Sequence, residues 1–166
     1  MGLQGMINDL VQQSDFAIGD TLHDEIHHLE EKNPKAIARI ISSAENFPEV
    51  SAATLDKIHK INTDCKTPVL GITGTGGAGK SSLVDELVRR YLIDFEGKTI
   101  AIVSVDPSRR RTGGALLGDR IRMNSINDPR VYMRSMATRE NNVSVSKFIH
   151  STLDVLKLAK PDVIIL

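Results

Sequence analysis

Apolar residues in the second part of the chain form short strand-like runs that alternate with stretches of helical periodicity. Most of these runs are rich in β-branched residues, as expected of strands buried on both faces. They cover residues 69–73, 99–105, 130–136 and 162–166. Residues 81–92 and 143–159 instead repeat apolar positions every three or four residues, which is typical of helices. This alternation predicts an α/β fold with a parallel sheet flanked by helices.

The first 66 residues show helical periodicity and no strand-like run. Asn33 followed by Pro34 predicts an N-cap and the first turn of a helix. Ser51 predicts the cap of a further helix, whose inward face carries Ile58 and Ile61. In the helix predicted over 81–92, the inward residues are Leu83, Leu87, Val88 and Leu92.

The pattern changes from helical to alternating at Thr67. We therefore expect an all-helical N-terminal extension or linker at residues 1–66 and an α/β unit at residues 67–166. The chain ends at Leu166, within or just after the last predicted strand. Loops that face the ligand usually follow such a strand, so we expect the chain to be a truncated part of a longer domain.

Charge is distributed unevenly although the net charge is zero. Residues 1–66 hold 6 Lys/Arg and 11 Asp/Glu, whereas residues 67–166 hold 15 and 10. The basic second part suits an anionic ligand. The chain has no Trp, and no aromatic residues interleave with the basic ones to stack on bases, so we expect no nucleic-acid partner.

The cysteine content and the lengths of the apolar runs bear on the compartment. Cys65 is the single cysteine of the sequence, which excludes an internal disulfide and suits a reducing environment. No secretory signal is visible at the start of the chain, and no apolar run approaches the ~20 residues that cross a membrane. We therefore expect a cytoplasmic protein without a membrane partner.

The stretch GITGTGGAGKSS, residues 71–82, carries two glycine spacings at once. Gly74-x-Gly76-x-x-Gly79 is the spacing of a dinucleotide-binding turn, and Gly74-x-x-x-x-Gly79-Lys80-Ser81 is that of a P-loop. In a P-loop several backbone N–H groups face the phosphates of a nucleoside triphosphate, and the following helix adds the positive end of its dipole. The predicted nucleotide-binding residues are Gly74, Gly76, Gly77, Ala78, Gly79, Lys80, Ser81 and Ser82.

Lys80 and Ser81 carry the chemistry of the P-loop interpretation. Lys80 would reach the β- and γ-phosphates as a point charge, which makes it the predicted catalytic residue, and the Ser81 hydroxyl would bind Mg²⁺. The dinucleotide interpretation needs an acidic residue about 20 positions after the first glycine. Asp106 ends the second predicted strand but lies 32 positions after Gly74, and that interpretation leaves Lys80 and Ser81 without a role. The P-loop interpretation is therefore favoured.

A second group of polar residues follows the second predicted strand, in the segment 105–126. Asp106 lies at the carboxyl edge of the sheet, where ligands bind, and Asp119 lies 13 residues further on. Either carboxylate could hold Mg²⁺ directly or through water, so Asp106 and Asp119 complete the predicted metal site with Ser81. Asp119 could also cap a helix, and the two roles are compatible.

Three stretches, GITGTGGAGKSS, VDPSRRRTGGALLGDRIRMN and VYMRSMATR, together resemble the MeaB/ArgK-type P-loop GTPases. These G proteins serve adenosylcobalamin-dependent acyl-CoA mutases, and the resemblance is strongest to the G-protein domain of fused isobutyryl-CoA mutases. The strong resemblance covers residues 68–166, with a weaker likeness at 32–45. Many proteins share the P-loop alone, whereas the second stretch is much more diagnostic.

The resemblance implies GTP binding and slow hydrolysis, coupled to delivery or protection of adenosylcobalamin on a fused or separate mutase. It implies that Lys80 and Ser81 contact phosphate and Mg²⁺, that Asp106 and Asp119 belong to the metal site, and that residues 107–119 act as a switch. GTP and GDP are the implied ligands, and residues 67–166 would be the N-terminal part of a P-loop GTPase domain. We also expect a homodimer.

Two other functions remain open from the residues alone. A P-loop kinase of the transport-system kinase type would use the same loop to phosphorylate a small molecule, although no arginine-bearing lid or acceptor pocket is identifiable. A purely structural module would hold a nucleotide without turnover. Phosphate transfer to an acceptor other than water would indicate the kinase, and turnover stimulated by a mutase would exclude the structural module.

Overall fold

The computed structural model of the chain describes residues 2–15, 19–20, 22, 25–106, 120, 123–137 and 142–166, with the side chains of 106, 137 and 142–147 excepted. Its helices are α1 (Leu3–Ser14), α2 (Glu25–Glu30), α3 (Pro34–Asn46), α4 (Pro48–Ile61), α5 (Lys80–Asp94) and α6 (Asn142–Leu158). Its strands are β1 (Val69–Leu70), β2 (Ile100–Asp106), β3 (Val131–Ala137) and β4 (Val163–Ile165). Short 3₁₀ turns lie at Asn62–Asp64 and Ser125–Asn127.

The four strands form one parallel sheet in the order β1-β4-β2-β3. The register places Ala101 of β2 opposite both Ile164 of β4 and Tyr132 of β3. The predicted α/β fold with a parallel sheet is therefore confirmed. Because the strands run the same way, their carboxyl ends meet at one edge, and β1 leads into the glycine-rich stretch there.

Alternating side chains of β2 build two separate cores, one on each face of the sheet. Ile100 and Ile102 pack on the face covered by α5, together with its buried Val88. Ala101 and Val103 pack on the opposite face, which is covered by the helical layer α2, α3, α4 and α6. The same alternation in β4 is why its apolar run has no polar position: a strand between two helical layers is buried on both sides.

The helices of residues 25–64 share the second core with the sheet. As predicted, Asn33 caps α3, its side-chain oxygen accepting hydrogen bonds from the N–H groups of Lys35 (3.0 Å) and Ala36 (3.4 Å). Arg134 of β3 forms an ion pair with Glu45 of α3, which ties this layer to the sheet. A division of the chain between residues 66 and 67 stays a prediction.

Three predictions, one about a helix start and two about helix faces, are wrong. Ser51 does not begin a helix, because α4 already starts at Pro48, and the Ser51 hydroxyl donates to the Pro48 carbonyl oxygen. At the end of the same helix Ile61 is 57% exposed. In α5, Val88 and Leu92 are buried as predicted, but Leu83 is 52% and Leu87 38% exposed, since the helix turns the face that carries Val84 and Val88 toward the sheet.

Helix α1 contributes nothing to either core. Its large apolar residues are all at least half exposed: Leu3, Met6, Ile7, Leu10 and Val11. No helix within the described ranges has the length and apolarity to cross a membrane.

Asp162, just before β4, joins the amino ends of two strands. Its carboxylate accepts a hydrogen bond from the N–H of Thr99 (2.8 Å) and forms an ion pair with Lys98 (2.7 Å). The hydrogen bond from Lys98 is the largest cause that lowers the pKa of Asp162 from 3.8 to about 2, followed by the bonds from Thr99. The charged carboxylate therefore stabilises the junction of β4 with β2.

Replacing a core residue of α3 tests whether the helical layer and the sheet unfold together. We expect Ile40→Ala to lower the free energy of unfolding by about 2–5 kcal/mol, because Ile40 is fully buried and the change leaves a cavity. The matched control Leu10→Ala, on exposed α1, should change it by less than about 0.5 kcal/mol. Urea denaturation followed by circular dichroism measures both, and a separate early transition for the helices alone would contradict a shared core.

The Asp162 junction predicts a pH-dependent stability difference. We expect Asp162→Asn to cost about 1–2 kcal/mol of unfolding free energy at pH 7. Because the pKa of this carboxyl is lower in the folded protein, its contribution is complete above about pH 4 and is lost as pH falls through about 2. Urea midpoints of wild type and variant should therefore converge between pH 4 and 2, whereas Glu30→Gln, at an exposed ion pair, should change little at any pH.

Candidate functional site

The glycine-rich stretch leaves the sheet from a strand that is fixed by hydrogen bonds to β4. The N–H groups of Ile164 and Leu166 donate to the carbonyl oxygens of Pro68 and Leu70, each at 2.9 Å. The last contact is the N–H of Ile72 with the Leu166 carbonyl oxygen at 2.6 Å. The loop that follows therefore starts from a rigid point at the carboxyl edge of the sheet.

Two glycines of this loop adopt a conformation that other residues rarely take. Gly77 and Gly79 both have φ of 79°, in the left-handed region where a Cβ atom would be strained. Gly79 is also the N-cap of α5, and its carbonyl oxygen accepts the first helical hydrogen bond, from the N–H of Leu83 at 2.9 Å. These two positions let the chain turn sharply from the strand into the helix.

The Lys80 ammonium joins two backbone carbonyl groups of the loop. It donates to the carbonyl oxygens of Gly74 and Thr75, both at 2.8 Å. The methylene stem of Lys80 lies along Gly74, where an added Cβ would sit 3.5 Å from Cδ of the lysine. An ammonium group has three N–H donors, so one remains for a ligand in the space that the loop encloses.

The first turn of α5 leaves its backbone donors available. The first N–H groups of a helix have no partner within it, and a side chain at the N-cap often satisfies them. Here the cap is Gly79, which has no side chain, and the first turn of α5 contains no acidic residue. Free amides, the helix dipole and the Lys80 charge together form a site that favours an anion.

A cavity of about 440 Å³ opens beside this turn. Lys80 and Ser81 of α5 line it, together with Thr73 from the loop and Ser104 from β2. Its deeper wall is apolar and includes Met133 of β3. The cavity thus extends from the loop to the carboxyl end of β2, the edge at which Asp106 ends its strand.

The structure brings part of the predicted site together. Lys80 contacts the loop directly, and Ser81 lies half-buried beside it in the cavity wall, whereas the predicted residues Gly74, Gly76, Gly77, Ala78, Gly79 and Ser82 are exposed. Asp106 is placed at the end of β2 by its backbone, and its side chain lies outside the described part of the chain. Asp119 and the switch segment 107–119 lie outside the described residues altogether.

Two hydrogen bonds beside the site were not predicted from the sequence. The Ser125 N–H donates to the Asp85 carboxylate at 2.9 Å, and the Ser125 hydroxyl donates to the Asp85 carbonyl oxygen at 3.2 Å. They tie α5 to the chain just before β3. The residues are 40 positions apart, and no motif links them, so only the fold reveals the contact.

The described oxygen donors at this edge are few. Within the described ranges, no three His, Cys, Asp or Glu residues cluster to hold a metal ion. The Ser81 hydroxyl in the cavity wall is an oxygen donor of the kind that Mg²⁺ prefers, and the backbone of β2 ends at the same edge with Asp106. The residues therefore fit an ion that is held mainly by phosphate oxygens and needs few protein ligands.

A strand, a loop with left-handed glycines and a lysine at the first position of the following helix define a P-loop protein of the α/β class. The family profile described as "Methylmalonyl Co-A mutase-associated GTPase MeaB" matches residues 34–166. The chain belongs to this family of MeaB-type P-loop GTPases. The expectation from the sequence resemblance is thus confirmed.

Two relatives illustrate the range of the family. The chain is 49% identical to a fused isobutyryl-CoA mutase of Geobacillus kaustophilus, over 100% of this chain and 16% of that protein. It is 32% identical to the mitochondrial methylmalonic aciduria type A homolog of Caenorhabditis elegans, over 67% of this chain and 28% of that protein. The chain therefore spans about a sixth of the length of the first protein and about a quarter of the length of the second.

A solved structure supports the fold. The crystal structure of a LAO/AO transport system kinase superposes with a TM-score of 0.63, covering 86% of this chain and 41% of that chain. The sequence identity is 22%, so this likeness is evidence for the fold alone.

The backbone of the loop predicts a difference between two of its glycines. We expect Gly79→Ala to lower the free energy of unfolding by about 1–2 kcal/mol, because alanine is strained at φ of 79°. Gly76 has no positive φ and no atom within 4 Å of an added Cβ, so Gly76→Ala should change stability by less than about 0.5 kcal/mol. Equal urea midpoints for the two variants would contradict the left-handed turn at Gly79.

Proposed function

We propose that this chain is the phosphate-binding part of a Mg²⁺-dependent GTPase that gates or protects adenosylcobalamin loading of an acyl-CoA mutase. The partner would be an isobutyryl-CoA or methylmalonyl-CoA mutase, either fused to this chain or separate. The observation that supports nucleotide binding is the position of the Lys80 ammonium. Two loop carbonyl oxygens hold it beside the start of α5, where no side chain caps the helix. Membership of the mutase-associated family supports the choice of partner.

The P-loop would bind the polyphosphate by backbone and lysine together. The amides of Gly76, Gly77, Gly79 and the first turn of α5 would donate to the phosphate oxygens, whereas the Ala78 amide donates to the Thr75 carbonyl oxygen at 3.3 Å and shapes the turn. Lys80 would direct its remaining N–H to the β- and γ-phosphates, where negative charge gathers during transfer. The other two N–H donors of the ammonium are already bonded to loop carbonyl oxygens, so the lysine is ordered before the ligand binds. Binding therefore loses little conformational entropy of this side chain.

Three residues would hold the Mg²⁺ ion. The Ser81 hydroxyl would bind it beside the phosphates, and Asp106 and Asp119 would complete the site directly or through water. The ion would neutralise charge on the β- and γ-phosphates when bound. The contribution of the chain itself is to fix Ser81 on the first turn of α5, a helix that Asp85, one turn further on, anchors to Ser125.

GTP and GDP are the proposed ligands because the chain belongs to a family of GTPases. Residues 107–119 would act as a switch that differs between the two nucleotide states and that a mutase could sense. The helical part at residues 1–66 would serve as an extension or as a linker to a cobalamin domain. We further propose that the protein works in the cytoplasm as a homodimer.

Removing the Lys80 charge should strongly weaken nucleotide binding. We expect Lys80→Met to weaken binding of Mg²⁺ with a non-hydrolysable GTP analogue by a factor of about 100 or more, because the positive charge beside the β- and γ-phosphates and its charge-assisted hydrogen bond are lost. Isothermal titration calorimetry on the full chain measures the affinity. The control Lys57→Met, on the exposed side of α4, should bind like wild type.

Three outcomes would contradict the proposal. Unchanged affinity in Lys80→Met would overturn the P-loop assignment, and tighter binding of NADH than of the GTP analogue by wild type would indicate a dinucleotide turn instead. Phosphate transfer from GTP or ATP to a small molecule, with no release of phosphate to water, would favour a kinase over a GTPase.

A further inference from the structure

The face of the sheet that packs on α5 changes from apolar to polar near its carboxyl edge. Ile102 of β2 and Met133 of β3 are paired in the register, and both are buried in the core beneath α5. Two positions further along the strands, the register pairs Ser104 with Ser135. Side chains of a strand return to the same face every second residue, so this pair of serines also faces the side of α5.

The serine pair lies beside the cavity at the P-loop. Ser104 lines this cavity together with Lys80 and Ser81, and Met133, two residues before Ser135, forms part of its inner wall. Neighbouring strands are about 4.8 Å apart, so Ser135 is adjacent to a cavity-lining residue on β2 as well as on its own strand. The level of the sheet at which the serines replace apolar residues is therefore the level of the proposed phosphate site.

The Ser135 hydroxyl is buried and has no hydrogen-bond partner among the described residues. Burying a polar group in this way costs free energy, and native structures rarely do so without a reason such as a bound ligand or water. An alanine would fill the same position on the strand without that cost. The hydroxyl thus gives the free chain no advantage, which indicates a role when the cavity is occupied.

We propose that Ser135 is a positioning residue of the nucleotide site, whose hydroxyl holds, beside Ser104, a water molecule of the bound Mg²⁺ and nucleotide. An ordered water needs two to four polar partners, and Lys80, Ser81 and Ser104 supply further ones in the cavity wall. Mg²⁺ usually keeps several waters when it binds phosphates, so the ligand brings such water with it. The inference rests on the proposed function, because it requires a nucleotide in this cavity.

This role predicts that one substitution has opposite effects on stability and on binding. We expect Ser135→Ala to leave the melting temperature of the ligand-free chain within about 1 °C of wild type or to raise it, because an unpartnered hydroxyl is removed. The same change should weaken binding of Mg²⁺ with GDP about fivefold or more, as the loss of one hydrogen bond would. Scanning calorimetry and isothermal titration calorimetry on the full chain measure the two quantities.

A conservative variant tests whether the hydroxyl itself is responsible. Ser135→Thr keeps the hydroxyl on a β-branched residue that suits a strand. It should therefore bind Mg²⁺ and GDP within about twofold of wild type, well inside the loss expected of alanine. A role of Ser135 in packing alone would not separate these two variants in affinity.

Ser43→Ala is the matched control. The Ser43 hydroxyl is also buried without a partner among the described residues, and the residue is fully inaccessible to solvent. It belongs to α3, however, which covers the opposite face of the sheet. Its replacement should leave the affinity for Mg²⁺ and GDP as in wild type.

Three results would overturn the inference: wild-type affinity in Ser135→Ala, an equal loss of affinity in Ser43→Ala, or a lower melting temperature of ligand-free Ser135→Ala by more than about 1 °C. The last result would show that the hydroxyl stabilises the free chain. If wild type itself does not bind Mg²⁺ and GDP, the proposed function fails and the inference fails with it. Binding by wild type together with an unaffected Ser135→Ala overturns the inference alone.

Discussion

The two hydrogen bonds from the Lys80 ammonium to the carbonyl oxygens of Gly74 and Thr75 are the contacts on which the site depends. They hold a positive charge at the mouth of a loop whose shape is set by left-handed glycines at 77 and 79. Without them, a lysine at the start of a helix would extend into solvent and lose its orientation. With them, charge, free amides and the helix dipole converge on one volume, and a polyphosphate is the ligand that matches all three.

This arrangement requires a rigid platform, and the two cores provide it. β1 is a strand of two residues and has β4 as its neighbour in the sheet, so its position depends on β4. β4 in turn is held by β2, by the helical layer on one face and by α5 on the other. The helices of residues 25–64 are part of that support, because Ile40 and Ile58 pack in the same cluster as Val103 and Ile164. If residues 1–66 act as a linker or extension, a movement of the helices at 25–64 would be transmitted to the sheet through this shared core.

The sequence predicted the elements well, because strands buried on both faces and a P-loop leave strong local patterns. All four strands and the helices after β1 and β3 lie within a few residues of their predicted bounds. The predictions of which helix residues face the core are less accurate. Leu83 and Leu87 are apolar but exposed, since the orientation of α5 is set by its packing on the sheet and not by its own periodicity. The Asp85–Ser125 contact joins residues 40 positions apart in the chain, so no local pattern could predict it.

On the proposed function, the turn at 74–79 and the start of α5 together bind the phosphates of a guanine nucleotide. The most direct test is a titration of the isotopically labelled chain with Mg²⁺ and GDP, followed through its backbone amide NMR signals. We predict saturable, one-to-one shifts concentrated at the amides of residues 76–82, with small changes at the opposite edge of the sheet. An absence of shifts at 76–82, or saturation at another surface while these amides stay unchanged, would contradict the account.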